Sequence, residues 1–102
     1  MSHLSEFNQQ VSPGLLSVVV PFFNEQEIAF HSCRELVEQL RHDAQPWELI
    51  LVDDGSRDAT LSELARAIED VPQARILQLS KNFKQTAALQ AGIDACQGEF
   101  IA

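Results

Sequence analysis

Residues Trp47 to Ser56 read WELILVDDGS, an apolar run that ends abruptly in two carboxylates, a glycine and a serine. Leu49, Ile50, Leu51 and Val52 show no alternating polar face, so they describe a strand covered on both sides. Such strands belong to sheets sandwiched between helices. Asp53, Asp54, Gly55 and Ser56 then stand where the strand emerges into a loop. That is the edge at which open α/β sheets bind ligands. Two adjacent acids repel each other unless a cation, a hydrogen-bond donor or a helix N-terminus compensates. Asp53 and Asp54 are therefore candidates for ligand contact. The competing reading makes one a turn or capping residue and the other a solvated surface acid.

The rest of the chain reads around that strand. Leu15–Val20 is a first strand, apolar except for Ser17, and Pro21 is expected to end its pairing because it cannot donate to a ladder. Phe22, Phe23 and Asn24 form a turn. Asn24 is the expected N-cap of a helix to about Arg41, with Glu27 completing a capping box. Ile28, Ser32, Leu36, Val37 and Leu40 mark that helix's inner face. His42–Pro46 is a loop. A second helix is expected after Ser56, capped by Ser56 or Asp58, with Leu61, Leu64, Ala65 and Ile68 on one face and a stop at Val71-Pro72. Arg75–Ser80 is a third strand. A third helix follows over Lys84–Cys96, with Leu89, Gly92, Ile93 and Cys96 inward. Gly98 breaks it and Glu99–Ala102 begins a fourth strand. The order β-α-β-α-β-α-β implies right-handed crossovers and a three-layer α/β/α domain with a mostly parallel sheet. Met1–Gly14 is polar and reads as a flexible leader to a domain at residues 15–102. The chain is expected to be the N-terminal piece of a longer protein, interrupted within its fourth strand.

Composition narrows the function. The 102 residues are 45% hydrophobic, enough for one small domain with a core. Seven basic residues face fifteen acidic ones, for a formal net charge of −8. That argues against a nucleic-acid surface and against docking of this segment to anionic lipid. No apolar run has the length of a membrane span, and MSHLSEFNQQ lacks the regions of a signal peptide. Cys33 and Cys96 fit no metal spacing. Both fall on apolar helix faces and read as buried free thiols in a reducing, cytoplasmic compartment. His3, His31 and His42 read as surface histidines.

Three strand ends point at one crevice: Pro21–Glu25, Asp53–Ser56 and Ser80–Lys84. No G-x-G-x-x-G follows the first strand, and there is no Walker loop and no usable Ser-His-Asp order. What remains is carboxylates with a nearby basic pair, Lys81 and Lys84. Carboxylates accept hydrogen bonds from a base edge or ribose hydroxyls, and lysines meet phosphate oxygens. The combination fits a nucleotide lying across strand ends. Ser56, Asp58 and Thr60 read as loop and capping residues.

LSVVVPFFNE, WELILVDDGSRDAT, LSKNFKQTAALQAGI and GEFIA occur in this order. Together they resemble the opening half of a family 2 glycosyltransferase with the GT-A fold, from about Leu15 to Ala102. Within that family the chain resembles the polyprenyl-phosphate branch, the dolichol-phosphate mannose synthases and bacterial undecaprenyl-phosphate sugar transferases. The resemblance implies a Rossmann-like nucleotide-sugar-binding half. Pro21, Phe23 and Glu25 match the segment packing on base and ribose, with Phe23 where the family commonly has tyrosine. Asp54 matches the acid that reads the base edge, and Asp53 its loop-bracing neighbour. Asn82 matches an asparagine after the third strand, Lys81 stands where arginine is common, and Lys84 where glycine is frequent. The family's metal motif, Asp-x-Asp, follows the fourth strand. A divalent metal, Mg or Mn, is therefore expected for the full-length parent only, and no metal ligand or catalytic residue in this segment. The implied parent transfers a sugar from a nucleotide diphosphate donor, expected to be UDP-linked, to a polyprenyl phosphate in cell-envelope glycan synthesis. It could associate with the cytoplasmic face of a membrane. The segment alone is expected to be inactive.

Two other classes compete. A receiver-like signalling domain shares the parallel sheet and an acidic pair at a strand end, but there the pair follows the first strand rather than the second. A structural or oligomerising α/β module is the other, because an incomplete sheet leaves edge and core surface open. A homo-oligomer, a dimer, is expected on that ground.

Overall fold

The computed structural model describes residues 14–42 and 44–101. Of the expected leader only Gly14 falls within them, and His3 and Ala102 lie outside. The elements are β1 (Leu16–Phe22), α1 (Gln26–Arg41), β2 (Trp47–Asp53), α2 (Thr60–Ala67), β3 (Ala74–Gln78), α3 (Lys84–Ala95) and β4 (Glu99–Ile101). The strands form one parallel sheet in the order β3-β2-β1-β4. The chain steps from β1 to β2 to β3 in one direction, then returns to lie on the far side of β1. With right-handed crossovers, such a reversal places α1 and α2 on one face and α3 on the other.

The packing follows that logic. On one face Val18, Leu49 and Leu51 meet Ala29, Cys33, Val37 and Leu40 of α1 and Leu64 and Ala67 of α2. On the other, Val19, Ile50 and Val52 meet Ala88 of α3. Leu49, Ile50, Leu51 and Val52 all have 0% exposure, which is why their run has no polar alternation. Each contributes about 1.5–3 kcal/mol by burial, and a charge at any of them would break the sheet's centre. Helix α3 lies close on its face because Gly92 has no side chain; a Cβ there would overlap Val19 Cγ1.

The polar exception in β1 has a structural reason. Ser17 is fully buried. Its hydroxyl donates to Glu48 Oε2 at 2.5 Å and accepts the Gly98 N–H at 2.9 Å. It joins β1 and β2 to the turn that leads into β4.

Several expectations need correction. Pro21 does not end β1; it is paired in register with Val52, and Phe22 with Asp53. Leu16 donates to Pro46 O, and Phe22 O accepts from Asp54 N–H, so the even-numbered residues of β1 bond towards β2. Pro21 therefore turns its missing donor towards the β4 side, where described pairing stops at Val18. Asn24 is not a cap. It has φ +51, and α1 begins after Glu25 with no side-chain cap of its own. Of the expected inner face of α1, Val37 and Leu40 are buried and Leu36 packs partly against the core, but Ser32 is exposed and Ile28 is 51% exposed; Ala29 and Cys33 fill the face there instead. Helix α2 begins at Thr60 and buries Thr60, Leu64 and Ala67 rather than Leu61 and Ala65; neither Ser56 nor Asp58 is its N-cap, which is Ala59. Both cysteines are free; Cys33 is buried but Cys96 only half-buried, and burial pushes both thiols above their usual pKa. His31 and His42 are exposed, each beside a glutamate on α1.

Candidate functional site

The reversal of chain direction beside β1 makes its carboxyl end a topological switch point, where the loops diverge and leave a crevice. The sequence puts Pro21–Glu25 there, at the end of β1. Asp54 follows β2 and Asn82 follows β3. All converge: Pro21, Phe22, Phe23, Glu25, Asp54, Asn82 and Lys84 line a cleft of about 520 Å³. An adjoining recess, also about 520 Å³, is lined by Phe23, Gly55, Ser56, Arg57, Ser80, Lys81 and Asn82 among others.

The β1–α1 and β2–α2 loops are laced to each other. Asn24 N–H donates to Ser56 Oγ at 2.9 Å, and Asn24 Oδ1 accepts from Arg57 N–H at 2.8 Å. Glu25 N–H donates to Thr60 Oγ1 at 2.8 Å and Gln26 N–H to Asp58 Oδ2 at 3.3 Å. Gln26 Oε1 accepts in return from Ala59 N–H at 2.9 Å. The first N–H groups of α1, which any helix must satisfy from outside, thus find their acceptors on a loop more than thirty residues away. That is why a local cap failed to appear at Asn24. Thr60 is the hub: it is fully buried and its hydroxyl donates to Asp58 Oδ1. The same bond holds the Asp58 carboxyl below its ordinary pKa.

The two aspartates have different environments. Asp54 is 2% exposed. Its Oδ1 accepts from Phe83 N–H at 2.8 Å and its Oδ2 from Asn82 Nδ2 at 2.9 Å. It thereby clamps the start of α3 to the end of β2 while still forming part of the cleft wall. Asp53, 1% exposed, accepts only from Ser56 N–H at 3.2 Å, and its Oδ2 is buried without a partner among the described residues. Asp53 is not in the cleft lining, and Lys81 lines the recess instead, with its ammonium 5.3 Å from the Phe83 ring centroid. Of the expected ligand contacts, Pro21, Phe23, Glu25, Asp54 and Asn82 share one cleft; Asp53 and Lys81 do not enter it.

Glu25 is the less committed carboxylate. Its Oε1 accepts from Phe23 N–H at 3.1 Å, and its other oxygen has no protein partner among the described residues. It can accept from a ligand donor at no cost to the fold.

Two backbone positions set the cleft's shape. Gly55 has φ +72, and a Cβ there would overlap Lys81 C and crowd Asn82 N. The β2–α2 and β3–α3 loops touch at that point, so only glycine fits. Lys84 has φ +76, the left-handed conformation that glycine adopts freely and lysine does not. Lys84 was set in the crevice by the sequence reading, as half of a basic pair, and it lines the cleft; its positive φ and the hub role of Thr60 escaped that reading. A lysine opening a helix gives no local sign of positive φ, and a buried threonine looks like any loop residue.

The described residues contain no group of three metal-ligating side chains.

Comparison with known proteins gives this site a context. The family model for glycosyl transferase family 2 matches residues 17–102. The chain is 44% identical over 96 residues to a dodecaprenyl-phosphate galacturonate synthase of Rhizobium johnstonii, covering 93% of this chain and 28% of that protein. It is 38% identical over 91 residues to an undecaprenyl-phosphate 4-deoxy-4-formamido-L-arabinose transferase of Pseudomonas fluorescens, covering 84% and 26%. It thus spans about a quarter of the length of the curated relatives it matches. Among solved structures, the mannosyltransferase PcManGT of Pyrobaculum calidifontis, in complex with GDP-Man and Mn2+, superposes with a TM-score of 0.64 at 22% identity, over 79% of this chain and 24% of that one. S. aureus TarS 1-349 superposes with a TM-score of 0.64 at 26% identity, over 84% and 26%.

Proposed function

The chain belongs to glycosyl transferase family 2, and from that premise we propose that its cleft binds the nucleoside end of a nucleotide-sugar donor. The observation that carries the reading is the convergence of Pro21–Glu25, Asp54 and Asn82 on one cleft at the switch point of the sheet. Phe23, 41% exposed, offers an apolar face to a base or ribose. Glu25 and Asp54 offer carboxylate lone pairs to N–H and O–H donors of the ligand. Asp54 keeps lone pairs free after accepting from Phe83 and Asn82, since each carboxylate oxygen accepts more than once. Its clamp fixes the rotamer from which it reads the ligand.

The whole enzyme, on this reading, moves a sugar from a nucleotide diphosphate to a polyprenyl phosphate. The relatives named for dodecaprenyl- and undecaprenyl-phosphate chemistry support the acceptor class. The base is proposed to be uracil, with guanine the alternative that the GDP-Man complex of the structural neighbour makes worth testing. A divalent cation, if the whole enzyme uses one, would supply charge neutralisation for the leaving diphosphate. The described residues do not assemble its ligands. No helix among them is long and apolar enough to cross a membrane.

Calorimetric titration of the 102-residue chain with UDP and GDP tests the binding step. Heat of binding with one nucleotide in preference to the other supports it, and no binding of either at millimolar concentration overturns it. The chain by itself is proposed not to transfer sugar. Turnover of a labelled donor onto a polyprenyl phosphate by the purified chain would contradict that.

A further inference from the structure

The chain has seven lysines and arginines among fifteen acids. Four arginines are held in ion pairs: Arg34 and Arg41 with Asp70, Arg66 with Glu63 and Arg75 with Glu48. Arg57, Lys81 and Lys84 have no carboxylate partner among the described residues, and all three line the cleft or its adjoining recess. In a chain of formal net charge −8, the cations left without a carboxylate partner among the described residues are gathered at one edge of the sheet. Unpaired cations around a concavity attract and hold anions.

Their positions are not equivalent. Lys81 lies against the Phe83 ring, and with Arg57 it faces the recess. Lys84 is the sole cation among the residues lining the cleft itself, which also include two acids, Glu25 and Asp54. Without it the cleft wall would carry only negative charge, which suits an uncharged nucleoside and repels a phosphate. Lys84 also holds a left-handed backbone, φ +76, against the preference of its own side chain. A backbone held in a disfavoured conformation within a binding cleft is a pointer to function.

We propose that Lys84 is the specificity residue that makes this cleft prefer a nucleoside diphosphate over the bare nucleoside, its ammonium meeting phosphate oxygens of a ligand whose base lies against Pro21–Glu25 and Asp54. The inference rests on the nucleotide reading above and adds the group that selects the ligand's charged end. The adjoining Lys81 and Arg57 raise the local potential without entering the cleft.

The test uses the chain and two variants, Lys84→Asn and Lys84→Arg, titrated with uridine, UDP, guanosine and GDP. Asparagine tolerates the left-handed backbone without charge, and arginine keeps the charge with the same backbone demand. For the preferred base, Lys84→Asn should lose about fivefold in diphosphate affinity, the worth of one partly exposed charged contact. It should leave nucleoside affinity within about twofold of the parent chain. Lys84→Arg should keep the diphosphate preference, and raising the salt concentration should erase most of it in the parent chain. The proposal fails if Lys84→Asn weakens nucleoside and diphosphate equally, or weakens neither. If the parent chain binds no nucleoside and no nucleotide, the nucleotide reading fails and this inference with it. If it binds nucleoside and diphosphate alike, only this inference fails.

Discussion

The Asp54–Asn82 clamp can be taken apart by exchanging its partners. Asp54 is almost fully buried and accepts two hydrogen bonds, from Phe83 N–H at 2.8 Å and Asn82 Nδ2 at 2.9 Å. Hydrogen bonds to a charged group contribute about 1.5–3 kcal/mol each. Asp54→Ala removes both and strands two donors, so a loss of about 3 kcal/mol is expected. Stability for a chain of this size is about 5–15 kcal/mol, so the variant still folds but is much weakened. Asp54→Asn is milder, about 1 kcal/mol, because the Asn82 amide can turn its oxygen towards the new NH2 group. Asn82→Asp is severe at neutral pH, since it sets two carboxylates at hydrogen-bond distance, and acid should relieve it. The double exchange, Asp54→Asn with Asn82→Asp, rebuilds the pair with donor and acceptor reversed. The amide oxygen introduced after β2 still accepts Phe83 N–H, while its NH2 donates to the carboxylate introduced after β3. Urea unfolding followed by the fluorescence of Trp47, the sole tryptophan, should place the double variant within about 1 kcal/mol of the parent and well above Asn82→Asp alone. A double variant no more stable than Asn82→Asp would refute the clamp. The same proteins separate two roles of Asp54. If its carboxylate also reads the ligand, the exchange restores stability without restoring nucleotide affinity.

Gly55→Ala should cost about 3 kcal/mol or more, since it combines a left-handed alanine with backbone overlap at Lys81 and Asn82; a chemical melt within about 1 kcal/mol of the parent would contradict the loop contact. Thr60→Val keeps the shape but leaves the Glu25 N–H without its acceptor, so about 1–3 kcal/mol is lost, whereas Thr60→Ser should come close to the parent in the same melt. Asp58 and Asp70 both have carboxyl pKa values lowered in the folded state, by the Thr60 hydroxyl and the Arg34 guanidinium respectively. Their stabilising contribution is therefore full above the ordinary carboxylate pKa and fades as pH falls through the lowered folded values. Melting temperature should drop along that acid limb, and Asp70→Asn should make the drop shallower; an unchanged limb would contradict the Arg34–Asp70 linkage.

How much of this was legible depended on the range of the interactions. The WELILVDD run announced a strand buried on both faces, and Leu49–Val52 are fully buried. The alternation of strands and helices also carried the three layers, because crossover handedness leaves few choices. In α1 the C-terminal half of the inner face, Val37 and Leu40, was read correctly, but its first two turns were read one residue off, at Ile28 and Ser32 instead of Ala29 and Cys33; the turn at Phe23–Glu25 that starts the helix is held by a distant loop. The same distance hid the capping of α1 by Asp58 and Thr60. The positive φ at Asn24 was invisible for a similar reason: bonds to Ser56 and Arg57 on the distant loop accompany it. Within the site, Pro21, Phe23, Glu25, Asp54 and Asn82 were brought together by the ends of three strands. Asp53 is the buried last residue of β2, whereas Asp54 opens the loop and lines the cleft.

The central claim is that the cleft at the end of β1 holds a nucleotide, and an amide NMR titration of the chain with UDP and GDP, with and without manganese, tests it most directly. The account predicts shifts clustered at Phe22–Glu25, Asp54–Ser56 and Asn82–Lys84, stronger for one nucleotide and indifferent to the metal. A well-folded sample that shows no shifts with either nucleotide would contradict it. So would shifts centred on Glu48 and Arg75 at the opposite end of the sheet.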